Sequence, residues 1–586
     1  MVQQAVRISQ LPADTQPSST AILPMVDGGV TSRVLAPALV PETDVRMYGT
    51  TGTSDDSATL VAALAATAVG GTVVVPGGVT LTIDNVTVTS RGIRGPGTLK
   101  WKAGSLNPML HLAGTAPGLM DLTIDGESAN HDAVERAVDT VAAAHPYIKN
   151  CRILNFRDTF LRTDIDLSTH GQISGCFIHN CGQIDDGNII EIRGSKWSVM
   201  QCDFEHTTAQ AHMIRTGQYS TASAFPVRDT RIIGCNFRDS DEAAIVCETY
   251  TQGIVISGNT FRGLGHGVKF ENDVLELVFD VIVTDNEFRD LTSAFDSAFQ
   301  FGVPGTYSGN RCYDCDSGFV FTRGAICIGN YLDNCGNTGL PCINVFSGST
   351  GEYIISGNVI KNPPASCAGI DVAVGSCIIT DNHIERAAGA AMTDGIVARG
   401  GNTTISGNVV KNVGGIGIRF FLDNNTVVGN TVDGATNGLY LETTCERSTV
   451  TGNALDNISS TKIRFTENAA LRSCVIKDNA GADDIQFDLT IASGVITVGR
   501  SACKLSLETE AAGATDDLDT ITATFPFVGQ VLILRTNDSS HDVVVKHNTG
   551  NIFLAGAADF TMANTSHSIA LLWSGTRWNE LYRSTS

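Results

Sequence analysis

The sequence predicts an all-β protein whose main part is a parallel β-helix, with a short arm and a capping helix before it and a separate β-domain after it. Three observations predict this fold. A phrase recurs about every 25 residues through the middle of the chain, an amphipathic segment precedes these repeats, and the repeats stop about 100 residues before the end. We therefore expect an arm at 1–45, a β-helix at 46–483 and an all-β domain at 484–586.

The repeated phrase has the form apolar-x-Gly/Asp-Asn-x-apolar, as in ISGNTF at 256–261. Its Asn column comprises Asn259, Asn286, Asn310, Asn330, Asn358, Asn382, Asn408, Asn430, Asn453 and Asn479, and upstream the same column holds Cys151, Cys176, Cys202 and Cys235. The spacing fits one coil of about three short strands, stacked about 4.8 Å above the previous coil. Stacked Asn amides can then hydrogen-bond to one another inside the coil.

The 16 cysteines are interpreted as ladder packing rather than as disulfides or metal ligands. The single CxxC pair, Cys312 and Cys315, has neither a second CxxC nor a nearby His to complete a ligand set. We therefore assign no metal and no cofactor.

A capping helix is predicted over 54–70, where Ser54 begins the helix, Asp55 and Asp56 favour its positive end and Gly70 ends it. Its apolar stripe is predicted to be Val61, Leu64, Ala65 and Ala68. This helix would cover the open first coil. The preceding 45 residues lack sustained periodicity, and strands such as VGQVLILRT and SIALLW follow the last repeat.

A second strand of apolar-x-apolar form follows each ladder residue, so that Val268 and Phe270 face inward and the residues between such pairs face outward. Aligning Cys247 with Phe270 puts Glu248 and Glu271 in one outward column on consecutive coils. Their backbones would lie about 4.8 Å apart, close to the carboxyl separation of about 5 to 5.5 Å in retaining glycosidases. Glycan hydrolysis needs one protonated and one ionised carboxyl group, and these two glutamates could supply them.

A second group of polar residues lies just before those strands. Asp241 and Glu242 occupy the turn that enters one coil, and His266 occupies the corresponding turn of the next. This arrangement resembles part of the polygalacturonase pattern, but the Asn-Thr-Asp and Arg-Ile-Lys segments of that pattern are missing at the expected distances. Galacturonan is therefore disfavoured as the substrate. The catalytic candidates are Glu248, Glu271, Asp241, Glu242 and His266.

The same face carries further polar side chains that could hold successive sugars. They are Glu191, Lys269, Gln300, Asn344, Asp371, Arg399, Arg419, Tyr440 and Arg464. Lys269 or Arg419 could instead serve a lyase by neutralising a uronate and removing its α-proton. The acidic neighbours favour hydrolysis over elimination, and no Ser lies in a nucleophile-elbow context that would indicate an esterase.

The net charge of the chain limits the classes of partner that it can bind. The chain has 39 basic and 61 acidic residues, a net charge of −22, which would repel nucleic acids and anionic membranes. Only 17% of the residues are charged, which suits neutral, hydroxyl-rich partners. We expect no nucleic-acid partner and no membrane insertion.

Three segments resemble bacteriophage tailspikes of the pectate-lyase-like right-handed parallel β-helix superfamily. VRMYGTTGTSDDSATLVAALAATAVGGTVVVPGG is similar to the superfamily's opening signature, the GN repeats to its coils, and GNIFLAGAADFTM with WNELYRS to a terminal tail-fibre domain. The arm ISQLPADTQPSSTAILPMVDGGVTSRV is similar to virion-attachment arms. Fold alone does not assign chemistry, because this superfamily includes lyases, hydrolases, esterases and inert fibres.

The resemblance implies a homotrimer of the virion tail, synthesised in the host cytoplasm, whose arm docks to a phage tail or baseplate protein. Its partner would be a bacterial surface polysaccharide: a capsule, an O-antigen or an exopolysaccharide. We expect a depolymerase, more readily an endoglycosidase than a lyase. A non-catalytic adhesion fibre and a structural spacer stay open as alternatives.

Overall fold

The computed structural model describes most of the chain. The described residues are 22–27, 30–35, 42–105, 107–127, 136–163, 170–182, 187–205, 211–217, 227–248, 251–270, 280–296, 304–336, 340–365, 367–387, 392–442, 445, 447–465, 474–480, 487–498, 504–523, 526 and 528–585.

The main body is a right-handed parallel β-solenoid of about 16 turns, built from one 43-stranded sheet in which every pairing is parallel. Each coil passes through three faces, here named sheet 1, sheet 2 and sheet 3 in chain order. This all-β fold confirms the predicted fold class.

Sheet 1 ends at the Gly/Asp-Asn turn. Its strands are Glu42–Asp44, Thr72–Val74, Gly92–Arg94, Gly118–Met120, Tyr147–Lys149, Gln172–Ser174, Ser198–Met200, Arg231–Ile233, Val255–Ser257, Val281–Thr284, Gly305–Ser308, Cys377–Thr380, Thr404–Ser406, Thr426–Val428, Thr449–Thr451 and Val475–Lys477. Two long strands, Phe319–Ile328 and Ile343–Ser356, bend from sheet 3 into sheet 1.

Sheet 2 begins directly after the ladder residue. Its strands are Thr80–Ile83, Thr98–Trp101, Thr123–Asp125, Arg152–Leu154, Phe177–His179, Asp203–Glu205, Arg311–Tyr313, Tyr331–Asp333, Val359–Lys361, His383–Glu385 and Ala454–Asp456. Long strands that bend from sheet 2 into sheet 3 are Asn236–Cys247, Thr260–Phe270, Glu287–Asp296, Val409–Phe420 and Thr431–Leu441.

Sheet 3 carries the face on which the candidate site was predicted. Its remaining strands are Val86–Thr89, Leu110–Thr115, Arg136–Ala144, Thr159–Arg162, Gly187–Ile192, Ala211–Thr216, Ile370–Val372, Asp394–Ala398 and Thr461–Phe465. A separate short pair, Val227–Arg228 with Thr251–Gln252, is also parallel.

The predicted Asn ladder is confirmed. From Asn259 to Asn453, each side-chain amide donates to Oδ1 of the Asn one coil further on, at 2.8–3.0 Å, and Asn479 is the last acceptor. The residue before each Asn has a left-handed backbone, for example Gly258 at φ +64° and Asp285 at φ +56°. Glycine and Asp tolerate this conformation better than most residues, which explains the Gly/Asp-Asn form of the repeat.

The Cys column continues the ladder upstream. The backbone N–H of Cys235 donates to Oδ1 of Asn259 at 2.8 Å, and the thiol of Cys176 donates to the carbonyl of Ile148. All fifteen cysteines among the described residues are free and buried, Cys312 and Cys315 included. Aromatic rings also stack along sheet 2, with centroids of Phe261 and Phe288 4.5 Å apart.

The capping helix α1 is shorter than predicted, Ser57–Ala66, and Leu60, Ala63 and Leu64 are its buried residues. The predicted stripe is displaced by one position. Leu64 is buried as predicted, but Val61 is 50% exposed, and Ala65 and Ala68 are exposed as well. The helix turns its two leucines onto the first coil and so buries more apolar surface. Asp56, not Ser54, is the N-cap residue. Its carboxylate accepts the backbone N–H groups of Thr53 and Thr82, which ties the helix to the solenoid.

Before the solenoid, Ile22–Asp27 and Val30–Leu35 form an antiparallel pair that the sequence analysis did not predict. Glu42–Asp44, inside the predicted arm, already pairs with Thr72–Val74 of sheet 1. The 3₁₀ turn Val45–Met47 then leads to α1.

After the solenoid, the chain forms three further sheets around a separate apolar core that includes Leu534, Ile569 and Trp578. The strands are Phe487–Thr490, Val495–Val498, Lys504–Glu508, Thr515–Leu518, Thr520–Ala523, Val531–Thr536, Asp542–Val545, Ile552–Phe553, Phe560–Met562, Ser568–Trp573 and Trp578–Ser584, with 3₁₀ turns at Glu510–Ala512 and Ala555–Ala557. Within the described residues, no helix is both long and apolar enough to cross a membrane.

Candidate functional site

The outward positions of sheet 3 form a column, here named the outer column, whose register is described in two stretches, from His111 to Lys269 and from Val320 to Arg464. In order along the solenoid, its members include His111, Asp139, Arg162, Glu191, Arg215, Val246 and Lys269, and further on Val320, Asn344, Asp371, Val397, Arg419, Tyr440 and Arg464. The structure thus places in this column seven residues that the sequence analysis assigned to this face from separate repeats: Glu191 and Lys269 in the first stretch, and Asn344, Asp371, Arg419, Tyr440 and Arg464 in the second. Arg399 lies two positions beyond Val397, and Gln300 lies outside the described residues.

The outer column is not the open, solvated surface that the sequence analysis expected. Glu191 is 3% exposed and Tyr440 9%, and Val246 is fully buried although it points outward from the sheet. Several charged groups on this face are held in ion pairs between neighbouring coils, among them Arg162 with Glu191, Arg215 with Glu248 and Arg399 with Asp371. Buried charges must be paired in this way, because desolvation of a lone ion is costly.

Glu248 is the best-defined carboxylate of the predicted catalytic group. It follows Cys247, which pairs with Phe270 as predicted, and its backbone N–H donates to the carbonyl of Thr216 at 2.8 Å. The residue is 5% exposed, and its carboxylate is ion-paired with the guanidinium of Arg215 one coil earlier. Glu271 lies outside the described residues, so its pairing with Glu248 stays a prediction.

Asp241 and Glu242 form a β-bulge. Ser240 pairs with Leu264 and Ala243 with His266, so that the two acidic residues stand opposite Gly265 alone. A Cβ on Gly265 would lie 1.9 Å from the carbonyl oxygen of Asp241, so only glycine fits there. Asp241 is exposed and Glu242 is partly exposed at this bulge, and Ala243, which follows them, pairs with His266 of the next coil.

A histidine that the sequence analysis missed also contacts this bulge. Nδ1 of His212, on the preceding coil, lies 3.7 Å from Oε2 of Glu242, whose side chain is 37% exposed. We name His212, Arg215, Glu242, Glu248 and His266 the Glu248 cluster. Continuing the register of the outer column upstream from Lys269 would have located Arg215.

A second group of charged residues lies further along the same face. It comprises Asp371, Asp394, Arg399, Arg419 and Glu442 and is here named the Asp371 cluster. Arg399 donates from Nε and Nη2 to the two carboxylate oxygens of Asp371, at 2.9 and 2.7 Å. Arg419 lies 3.4 Å from Oδ2 of Asp394 and 3.9 Å from Oε1 of Glu442. Asp371 and Arg419 were predicted for this face, whereas Asp394 and Glu442 were missed because they lie beside the outer column rather than in it.

Asp394 has the more unusual environment of the two aspartates. Burial raises the pKa of its carboxyl above the ordinary value of 3.8, although the nearby guanidinium of Arg419 and the backbone N–H of Ile416 both favour the ionised form. That N–H donates to Oδ1 of Asp394 at 3.0 Å, at the point where the strand Val409–Phe420 bulges. Asp394 therefore also stabilises the backbone of the next coil.

Tyr440 lies between two guanidinium groups. Arg419 and Arg464 approach its ring at 5.5 and 4.9 Å from the centroid, on the coils before and after it. Packing of a sugar against this ring, as the sequence analysis expected, would require one of the two arginines to move. Asn344, at 8% exposure, is also largely withdrawn from solvent.

Within the described residues, no three His, Cys, Asp or Glu side chains are grouped closely enough to hold a metal ion.

Two protein families match the chain. Residues 345–507 match the right-handed β-helix region, and residues 506–579 match the phage depolymerase C-terminal β-sandwich domain. The resemblance to phage tailspikes with a parallel β-helix is confirmed. No curated protein sequence matches this β-helix protein.

Solved structures with a similar fold include phage tailspikes. A tailspike mutant of E. coli bacteriophage HK620 in complex with a hexasaccharide is 14% identical, with 65% of this chain and 78% of that chain covered at a TM-score of 0.47. The HK620 tailspike in complex with a pentasaccharide is 12% identical, with 75% and 81% covered at 0.46. PfbA, a surface adhesin of Streptococcus pneumoniae, is 14% identical, with 72% and 93% covered at 0.36.

Proposed function

We propose that this tailspike-like β-helix protein recognises a bacterial surface polysaccharide and cleaves it by hydrolysis between two carboxyl groups. The phage depolymerase C-terminal domain behind a β-helix supports degradation of a polysaccharide as the general activity. The reaction type and its residues are our own inference from the outer face of sheet 3.

One observation carries the assignment of the site: Cys247 pairs with Phe270 in the parallel ladder. If the ladder continues by one residue, Glu248 and Glu271 would be neighbours on consecutive coils, with backbones about 4.8 Å apart. That spacing fits the short carboxyl separation of a retaining glycosidase, about 5 to 5.5 Å. Two carboxyl groups so close do not ionise together readily, which leaves one as acid and the other as carboxylate.

Roles within the pair follow from the surroundings of Glu248. The guanidinium of Arg215 stabilises the negative charge of this carboxylate, which suits it to act as nucleophile or as base. We assign the role of acid to Glu271. Glu242 is the alternative, because its half-exposed side chain lies beside His212. Asp241, in the bulge, and His266, on the next coil, would orient the sugar or the attacking water.

Elimination is the alternative chemistry on the same face. It requires a cation beside the uronate carboxylate and a base for the α-proton. Lys269 of the outer column could serve it, whereas Arg419 is already placed between Asp394 and Glu442. The release of an unsaturated sugar would identify this reaction, and binding without any cleavage would identify an adhesion fibre.

The experiment is an assay of reducing ends released from a panel of purified capsules, lipopolysaccharides and exopolysaccharides. We expect the parent protein to degrade one of them. Glu248→Gln and Glu271→Gln should bind the same glycan while releasing at least about 100-fold fewer ends. Asp456→Asn, an exposed carboxyl on sheet 2, is the matched control and should cleave at the parent rate. Unchanged release by Glu248→Gln would remove this residue from the mechanism.

Assembly into a homotrimer of the virion tail is a further part of the proposal, as is attachment through residues 1–45. The outer face of sheet 1 supports self-association. Ile282, Ile326 and Ile378 are 42%, 38% and 44% exposed there, and the strand register lines them up with Thr306 and Ile354. Contiguous exposed apolar side chains are typical of protein–protein interfaces. Sedimentation equilibrium of the full chain tests the trimer.

A further inference from the structure

The outer face of sheet 1 carries no charged side chain along nine consecutive coils. On each of these coils, the residues four and two places before the ladder Asn point outward on either side of a buried residue, as Ile354 and Ser356 do around Ile355. From Asn259 to Asn453 these positions form two columns in one register, which we name the uncharged strip. All eighteen residues of the strip are described, and each is Ile, Val, Thr or Ser.

The same nine coils are charged on sheet 2. The residue three places after each ladder Asn points outward there, in a register that runs from Arg262 to Asp456. Eight of these nine residues are Arg, Lys, Asp or Glu, and the ninth is Tyr313. Charged side chains are the usual residues of a solvated surface, so their loss from one face of the same repeats indicates that sheet 1 is covered in the working assembly.

The strip also exposes apolar surface. Ile326, Ile328, Ile282 and Ile378 are 38%, 40%, 42% and 44% exposed. Eight steps of about 4.8 Å make the strip about 38 Å long, and strands of three to four residues make it about 10 to 13 Å wide. A contiguous surface of this kind, free of charge at its centre, is typical of the core of a protein–protein interface.

A second copy of this chain is the occupant that the strip fits best. The strip has no aromatic ring and no charged group, so it lacks the side chains with which proteins usually hold sugars. In a parallel assembly around an axis along the solenoid, each coil at the axis meets the same coil of the other copies. A charged residue there would meet its own like charge, which is costly, whereas Ile, Val, Thr and Ser can meet their own kind.

We propose that three copies of this chain meet along the uncharged strip, parallel and in register, with sheet 1 at the three-fold axis. This inference rests on the homotrimer of the proposed function and specifies its contact face. Sheets 2 and 3, which carry the ion pairs, would stay on the outside of the assembly. The Glu248 cluster of each copy would then stay accessible to a polysaccharide.

Thiol cross-linking of the full-length protein tests which face lies at the axis. The fifteen described cysteines are buried, so a maleimide should react first with a thiol introduced at the surface. Ser356→Cys introduces one in the middle of the strip, and Asp456→Cys, on sheet 2, is the matched control. With a short bis-maleimide, we expect cross-linked chains on a denaturing gel from Ser356→Cys, and none from Asp456→Cys or from the parent.

A charge reversal of the argument provides the second test. Ile378→Arg would bring like charges together at the axis, and its outward, half-exposed position lets each chain keep its fold. We expect sedimentation equilibrium to show a shift from the trimer mass to the monomer mass, with an unchanged far-UV circular dichroism spectrum. Asp456→Arg, which changes an exposed residue of sheet 2, is the matched control and should stay trimeric.

The outcomes for the contact face and for the proposed function are separable. A trimeric parent whose Ser356→Cys variant gives no cross-links, or whose Ile378→Arg variant stays trimeric, would overturn the contact face and leave the trimer. A monomeric parent would overturn both of these and leave the hydrolysis to its own assay. Protection of the Ser356→Cys thiol by a bound polysaccharide in a monomeric chain would identify a glycan site and would likewise overturn this inference.

Discussion

The side-chain amide of Asn310 donates to Oδ1 of Asn330 at 3.0 Å, and the backbone N–H of Asn310 donates to the same oxygen at 2.9 Å. Each amide nitrogen of the ladder donates as well to a backbone carbonyl of an earlier coil, as Nδ2 of Asn310 does to Val283. The ladder therefore satisfies buried backbone and side-chain polar groups inside the coil. It also fixes which residues of successive repeats become neighbours.

Asn358→Ala should strongly destabilise the solenoid. The substitution leaves the backbone N–H and the Nδ2 of Asn330 without their acceptor, and it removes the donor to the carbonyl of Cys327. Unsatisfied buried groups cost about 1 to 3 kcal/mol each, so we expect a loss of at least about 3 kcal/mol in the free energy of unfolding. Urea titration measures it. Asn107→Ala, at an exposed position, should change stability by less than about 0.5 kcal/mol. Similar costs for both variants would contradict a stabilising ladder.

Arg215→Ala should destabilise the protein by about 3 to 5 kcal/mol, because it leaves the buried carboxylate of Glu248 without its cation. Adding Glu248→Ala to it should restore part of the loss, which a double-mutant cycle in urea detects. Arg238→Ala is the matched control, since Arg238 and Asp203 form an ion pair with side chains 41% and 35% exposed. It should cost less than about 1 kcal/mol. Equal costs for the two arginines would show that the Glu248 pair is effectively solvated.

Tyr440→Phe should leave the free energy of unfolding within about 1 kcal/mol of the parent, because the ring keeps its contacts with Arg419 and Arg464. Tyr440→Ala should cost about 3 kcal/mol or more, since it removes a largely buried aromatic ring. The melting temperatures of the Tyr440→Phe and Tyr440→Ala variants measure this difference. A Tyr440→Ala variant that melts like the parent and no longer binds glycan would instead assign the ring to the substrate.

The environment of Asp394 predicts a pH-dependent contribution to stability. Burial raises the pKa of this carboxyl above 3.8, so the folded chain binds its proton more tightly than the unfolded chain does. Its contribution is therefore present below pH 3.8 and is lost as the pH rises through the raised folded pKa. Asp394→Asn keeps an acceptor for the N–H of Ile416 and does not titrate. In urea titrations, the free energy of unfolding of the variant should increase relative to that of the parent as the pH rises through this window. A difference that does not change with pH would contradict a raised pKa.

Much of the fold could be predicted because position within a solenoid repeat determines position on a face. Glu191, Asp371, Arg419 and Tyr440 occur in different repeats, yet they fall in one column since each follows an inward apolar residue of sheet 3. The predicted apolar stripe of the capping helix was displaced by one position because two candidate stripes have the same spacing, and only contact with the first coil selects Leu60 and Leu64.

The burial of the site residues could not be predicted in the same way. Whether Glu248 is solvated or buried depends on which side chain of the preceding coil reaches it. Arg215 is that side chain, and its coil differs in length from the coil of Glu248. The environment of Asp394 depends likewise on a bulge and an ion pair in the next coil. Repeat periodicity carries no information about these contacts.

The most direct measurement is the mass of the oligosaccharides released from the host polysaccharide in water labelled with oxygen-18. Hydrolysis predicts one labelled oxygen at each new reducing end for the parent protein, and at least about 100-fold less labelled product for Glu248→Gln with glycan binding retained. Products that are unsaturated and unlabelled, or equal labelled product from Glu248→Gln and the parent, would contradict carboxylate hydrolysis at this cluster.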